Sequence, residues 1–263
     1  MPDLSVIIPA YNEERRLPAT LASVYGYLEQ TLQETGRTYE ILVVDDGSHD
    51  ATCEVVEEFA RHHVQSESDG EQEKIRLVSY APNQGKGFAV RTGMLKARGD
   101  YLLMNDADGS SPIEEVERLL EGMKPDYKVV IGSRAKEDPT AKVNALFYRK
   151  YIGNTFNLIV QSLLLPGVRD TQCGFKLFER NAAHDIFSVA RLNGYAFDVE
   201  LLYIARLRGY KLHEVAINWN NMEGSKVNVL TDSPRMLMEV LGITIGAWFG
   251  TYKRKIADSG KTV

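Results

Sequence analysis

The chain has few of the residues that staple, anchor or export a protein. Its 263 residues include two cysteines, Cys53 and Cys173, far apart and outside any C-x-x-C spacing, which excludes a disulfide framework and a cysteine-based zinc or redox motif. Both read as small buried hydrophobes in a reducing compartment. No apolar run reaches the roughly 20 residues that span a bilayer, and the longest candidate, MLMEVLGITIGAWFG, is interrupted by Glu239. The N-terminal MPDLSVIIPAYNEE lacks the basic and cleavable segments of a secretory signal, so export is not expected. Positive charge is also scarce: 31 Lys and Arg against 36 Asp and Glu give a formal charge of −5, which excludes a general nucleic-acid binder while leaving room for local basic patches. NQGKGFAVRTG is not a triphosphate loop, because G-x-x-x-x-G-K-[ST] is absent from it. Without a solenoid repeat or a Pro/Ser-rich linker, residues 1–263 read as one domain.

What is present is an alternation of short apolar runs with helical periodicity. LSVIIP is strand-like, and Leu17, Leu21, Val24 and Leu28 then recur at helical intervals. EILVVD follows as a second strand, with Asp50 placed to cap a helix carrying Val55, Val56 and Phe59. IRLVSY, a helix over about 86–98, and YLLMND continue the order, whereas residues 65–74 have no apolar period and read as a loop. Strand–helix alternation of this kind predicts an α/β fold with a mainly parallel central sheet flanked by helices. Ligands bind such sheets beyond the carboxyl ends of the strands, where PAYNEE, DDGS and DADGSS all begin.

In Asp106-Ala107-Asp108 the two carboxylates are two residues apart, so continued extended geometry points both the same way. Two hard oxygen donors can hold Mg2+ or Mn2+ together with a substrate phosphate. Asp and Gly are equally ordinary turn formers, so the spacing by itself leaves a structural turn open.

Five segments occur in order: VIIPAYNEE, VVDDGS, NQGKGFAVRTG, DADGS and GSR. Together they resemble the inverting family 2 of nucleotide-sugar glycosyltransferases, which have the GT-A fold. DTQCGFKLF, YAFDVELLYIARLRGYKLHEVAINW and GSKVN look like the dolichyl-phosphate glucosyltransferase branch and the related mannose synthases, and the likeness covers residues 4–255. The resemblance implies a hexosyltransferase acting on a nucleotide sugar, UDP-glucose first and GDP-mannose as the alternative. It implies a polyprenyl phosphate acceptor such as dolichyl phosphate, with a soluble saccharide as another possibility. A binding scaffold without turnover is the non-enzymatic alternative.

The resemblance also implies residue roles. Pro9, Tyr11, Glu13 and Val44 would line the nucleotide, Tyr11 offering an aromatic body and Glu13 accepting ribose hydroxyls. Asp46 would accept a base N–H, and Asp45 would orient the turn. Asp106 and Asp108 would hold Mg2+ or Mn2+ on the donor diphosphate, with Ala107, Ser110 and Lys86 beside it; Ser110 also suits a helix cap. Asp106, Asp108 and Arg134 are the expected catalytic set. Arg134, Arg149, Lys176 and Lys226 would receive the acceptor phosphate, and Asp198 would serve as base if the acceptor were a sugar hydroxyl.

Family relatives carry membrane anchors, whereas this sequence shows no spanning segment. The apolar segment 232–257 is expected as a C-terminal helix at a membrane surface, Trp248 and Phe249 being followed by Lys253, Arg254 and Lys255. The apolar stretch Tyr151 to Leu165 is a second candidate for guiding a lipid. A cytoplasmic protein, peripheral on the cytoplasmic membrane face, is the corresponding expectation.

Overall fold

The computed structural model describes residues 1–63, 73–144, 156–222 and 229–252, the last segment with side chains from 235 onward. The first strand, β1 (Leu4–Ala10), is buried along its whole length, which is why LSVIIPA is continuously apolar rather than alternating. It lies between β2 (Tyr39–Asp45) and β4 (Tyr101–Asn105), parallel to both, and β3 (Ile75–Ser79) continues the parallel array beyond β2. The crossover helices are α1 (Leu17–Tyr27), α2 (Thr52–His63) and α3 (Lys86–Lys96). α1 runs on into a wider turn over Leu28–Leu32, so the apolar positions stay buried from Leu17 through Leu32.

After α4 (Val116–Gly122) come β5 (Tyr127–Ser133), the short β6 (Val143–Asn144), a helical stretch over 156–163 (α5), β7 (Phe175–Glu179), α6 (Arg180–Phe187), α7 (Phe197–Leu207), β8 (Lys211–Ala216), β9 (Trp219–Asn220) and α8 (Val229–Trp248). The seven-stranded sheet has the order β3-β2-β1-β4-β7-β5-β8, and β6 pairs with β9 in a separate ribbon. β7 is antiparallel to both of its neighbours, the one reversal in a sheet otherwise parallel among the described strands.

Period-2 alternation sends the strand residues into two cores. Ile7, Leu42, Val44, Met104 and Ile131 face the layer of α3, α6, α7 and α8, whereas Val6, Ile8, Ile41, Val43 and Leu103 face α1, α2 and α4. Burial on this scale, at about 25 cal/mol per Å2 of apolar surface, is the main force holding the layers together.

The reversed β7 matters for function because of its register. Asn105 at the end of β4 lies opposite Phe175 at the start of β7, and Ile131 near the end of β5 lies opposite Lys176. The segments after β4, after β5 and before β7 therefore meet at one sheet edge, bringing DADGSS, GSR and DTQCG together.

Candidate active site

Asp106 follows β4 directly, and its Oδ1 lies 2.6 Å from the Nζ of Lys86, the first residue of α3. Burial opposes the Lys86 charge, but Asp106, Asp198 and Asp108 outweigh it and hold the ammonium above its ordinary pKa. Lys86 reaches this place because Gly85 enters the helix at φ +102°, in a left-handed region, where a Cβ would stand 2.5 Å from the Asn193 carbonyl oxygen. On the other side Gly174 leaves room for the carboxylate: a Cβ there would lie 2.0 Å from Asp106 Oδ2. Asp108 Oδ1 accepts a hydrogen bond from Ser110 N at 2.9 Å. Ala107 is buried and its carbonyl accepts from Thr20 Oγ1 of α1 at 2.8 Å.

Whether Asp106 and Asp108 suit a divalent cation can be judged from the donors. Apart from the Lys86 ion pair, the buried Asp106 Oδ1 has no hydrogen-bond partner among the described residues, and the neighbouring Asn105 Oδ1 is likewise buried and unpartnered. Hard oxygen donors of this kind fit Mg2+ or Mn2+. Among the described residues no group of three or more His, Cys, Asp or Glu forms a complete cage, so the remaining ligands would have to come from a substrate.

Arg134, just past β5, is held by Asp170: Nε and Nη2 donate to the two carboxylate oxygens at 2.7 and 2.8 Å, and the Arg134 backbone N–H adds a third bond at 2.9 Å. The guanidinium lies 5.4 Å from the Trp219 ring centroid, and about a third of the side chain is exposed. Burial works against both charges, yet the pairing raises the Arg134 pKa and lowers that of Asp170. Arg16 joins the same field: hydrogen bonding to Glu13 is the main cause that raises its pKa, with Asp108 and Asp106 contributing.

The nucleotide side is built from the ends of β1 and β2. Tyr11 meets the His49 ring edge-on with centroids 6.4 Å apart, and Pro9 is buried opposite Val44. The residues expected at the nucleotide also have partners within the protein. Asp46 does not present a free carboxylate: Oδ1 accepts Gln84 N, and Oδ2 accepts Gly85 N and Asn83 Nδ2, each at 2.8 Å. It anchors the loop into α3. Asp45, expected only to orient its turn, does accept Ser48 N at 3.2 Å, but its buried Oδ1 has no partner beyond the adjacent Cys53 thiol. Burial and Asp45 push that thiol up to about 12. Glu13 is paired bidentately with Arg16 at 2.6 and 2.7 Å, so it positions that arginine. The Val44 side chain is fully buried in the core. Ser110 caps no helix: the helical turn Ile113–Glu115 starts from Pro112 without a side-chain cap.

On the acceptor side Lys176 has partners of its own. It is fully buried, and its ammonium donates to the Cys173 carbonyl and to Asp198 Oδ1, each at 2.5 Å. A lysine enclosed in this way neutralises the buried Asp198 carboxylate. Asp198 is consequently no free base, although burial raises its pKa against the pull of Lys176 and Lys86. Arg149 and Lys226 lie outside the described residues.

These motifs, in this topology, decide the assignment, since residues 5–187 match the family model described as glycosyl transferase family 2. The chain belongs to glycosyl transferase family 2. As a member of that family it is similar to the human dolichyl-phosphate beta-glucosyltransferase, with 37% identity covering 96% of this chain and 79% of the relative. The Drosophila melanogaster protein of the same name is 39% identical over 94% and 77% of the two chains, and that of Saccharomyces cerevisiae 34% identical over 95% and 76%. Among solved structures this glycosyltransferase resembles glucosyl-3-phosphoglycerate synthase from Mycobacterium tuberculosis, crystallised with Mn2+, UDP-glucose and phosphoglyceric acid. The TM-score is 0.67 at 18% identity, covering 95% of this chain and 80% of that one. The likeness shows a shared fold, and the expected GT-A architecture is the one observed.

Sequence reading passed over Arg16, Asp170 and Gly174. The i, i+3 spacing of Glu13 and Arg16 was a visible signal for the first, while the other two depend on the register of β7 against β4 and β5.

Proposed function

We propose that this glycosyltransferase moves glucose from UDP-glucose to a polyprenyl phosphate of the dolichyl phosphate kind, with inversion at the anomeric carbon and with Mg2+ or Mn2+ at Asp106 and Asp108. The names of the curated relatives support the sugar and the acceptor, and the Mn2+ and UDP-glucose in the solved neighbour support the donor and the metal class. The observation that carries the reading is the pairing of a D-x-D carboxylate with Lys86 at the edge where Arg134 also emerges. That is a site for two phosphorylated substrates.

A bound divalent cation supplies Lewis-acid stabilisation of the departing nucleoside diphosphate. Lys86 would bind the same diphosphate through its ammonium at the start of α3. Arg134, oriented by Asp170, would grip the acceptor phosphate with the N–H groups it does not donate to Asp170. An acceptor phosphate oxygen then forms the new bond to the sugar C1, while the C1–oxygen bond to the diphosphate breaks and its electron pair leaves with UDP. A phosphate monoester, with a second ionisation near pH 6, needs no protein base, consistent with Asp198 being tied to Lys176. The reaction would take place on the cytoplasmic face of a membrane, where a soluble donor meets a lipid.

The test is transfer of labelled sugar from UDP-glucose and GDP-mannose, in parallel, into a lipid-extractable product with polyprenyl phosphate and Mg2+ or Mn2+. Glucose labelling is the expected result. Mannose labelling would reassign the donor, and nucleotide release with soluble saccharides alone would remove the lipid acceptor.

A further inference from the structure

Trp219 is a large aromatic residue placed where no core requires it. It sits in β9, in the ribbon that pairs with β6 outside the main sheet, is half-buried, and is a member of neither apolar core among the described residues. What its ring covers is the Arg134 guanidinium, 5.4 Å from the centroid. A ring face attracts a cation over distances up to about 6 Å, so the two side chains are a stacked pair.

Arg134 is thereby held from two directions. The Asp170 carboxylate takes the edge formed by Nε and Nη2, and the ring covers the flat face. A bidentate pair still lets the guanidinium hinge about the line of its two hydrogen bonds; a ring against the face opposes that hinge. Three N–H groups are left without an acceptor among the described residues, two on Nη1 and one on Nη2, and one from each nitrogen forms a second parallel fork. Two oxygens of a phosphate monoester match such a fork.

We propose that Trp219 is a positioning residue for the acceptor phosphate, aiming this second fork by stacking on Arg134, an inference that rests on the acceptor role proposed for Arg134. β9 fixes the ring relative to the donor side as well. Trp219 N donates to the Lys142 carbonyl at 3.0 Å, and Asn220 N donates to the Ser110 carbonyl at 2.8 Å. Ser110 N in turn donates to Asp108 Oδ1. A short hydrogen-bonded path therefore runs from the carboxylate proposed for the donor metal to the ring behind the acceptor arginine. It sets how far apart the two phosphates are held, and attack at C1 is sensitive to misplacement on the scale of about 1 Å.

Calorimetry with a water-soluble short-chain prenyl phosphate, in the presence of Mn2+ and UDP, tests this beside steady-state transfer from UDP-glucose. Trp219→Leu is expected to weaken binding of the prenyl phosphate by about 3- to 30-fold, the range for loss of a cation–π contact, and to raise its KM in step while the KM for UDP-glucose stays unchanged. Trp219→Phe, which keeps an aromatic face, should recover most of the loss. In an Arg134→Lys background, without the flat face and the fork, Trp219→Leu should have little further effect. Asn144→Ala removes a side-chain hydrogen bond to Asn220 within the same ribbon and should bind the prenyl phosphate like wild type. Unchanged binding by Trp219→Leu overturns the proposal, as does an equal loss in Asn144→Ala or an undiminished effect in the Arg134→Lys background, either of which would make the ring a support for the ribbon alone. Absence of prenyl phosphate binding by the wild type overturns it too. Trp219-dependent binding by a wild type that transfers glucose to no prenyl phosphate would remove the proposed reaction and leave the positioning role.

Discussion

Lys86 Nζ and Asp106 Oδ1 are 2.6 Å apart, so the carboxylate that would bind a cation already has one. The pair keeps an acidic edge, shared with Asp108 and Asp198, from repelling itself before substrates arrive. It also means that a metal at Asp106 competes with the ammonium, and that Lys86 becomes available to the diphosphate as the metal takes its place. Lys86→Met is therefore expected to bind Mn2+ at least as tightly as wild type without nucleotide, while UDP affinity falls by about 10- to 100-fold, the range for a charge-assisted hydrogen bond. Titration calorimetry with each ligand checks both halves. Weaker Mn2+ binding with unchanged UDP affinity would contradict the exchange.

Asp108→Ala should leave the fold intact, because the side chain makes one local hydrogen bond, to Ser110 N. Metal-dependent transfer should drop by about 10²- to 10³-fold, as expected when stabilisation of leaving-group charge is lost. Circular dichroism and the lipid-product assay together measure this, and normal turnover would remove the role given to Asp106-Ala107-Asp108.

Gly174→Ala tests packing instead of chemistry. The new methyl would stand 2.0 Å from Asp106 Oδ2, closer than atoms can approach, so Asp106 must shift. The expected outcome is a raised Mn2+ requirement for transfer with near-normal thermal stability. An unchanged Mn2+ dependence would show that Asp106 can move without consequence.

Lys176→Met should destabilise the fold by about 3–5 kcal/mol, because it leaves the buried Asp198 without its ion partner. Lys176→Met with Asp198→Leu should recover much of that loss, since both charges are then absent. Urea unfolding compares the three proteins. A Lys176→Met variant of normal stability with a raised KM for polyprenyl phosphate would return Lys176 to the acceptor site.

The Arg134 and Asp170 pair defines a pH dependence. Asp170 has a depressed pKa in the folded protein, so its stabilising contribution is fully present above the unfolded carboxylate value of about 3.9 and disappears as pH falls through the folded value. The gap in urea midpoint between wild type and Asp170→Asn should stay constant from pH 5 to 8 and close only in the acid range below about 4. A gap that closed near neutrality would mean that another group controls Arg134.

Much of the site was legible because its motifs sit at strand ends. Alternating apolar runs placed β1 to β4, and the parallel order of those strands put PAYNEE, DDGS and DADGSS at one edge. Spacing could not distinguish Asp45 from Asp46, since adjacent carboxylates in one turn look equivalent until the 83–85 loop folds over one of them. It also could not show that Lys176 points inward, because a lysine in FKLFE is read as exposed unless a buried acid is known to face it.

By itself the sequence determined the α/β class, the family and the position of the D-x-D pair, because each is encoded in local periodicity or in residues adjacent along the chain. Only the tertiary structure decided which charges remain available to substrates. Asp46, Asp198 and Arg134 each find partners more than 20 residues away, at distances of 2.5–2.9 Å that exist only once the reversed β7 and the loop before α3 are seated. Coulomb energy and hydrogen bonding act over those few ångströms, so the division between supporting and reacting groups is set by register and packing.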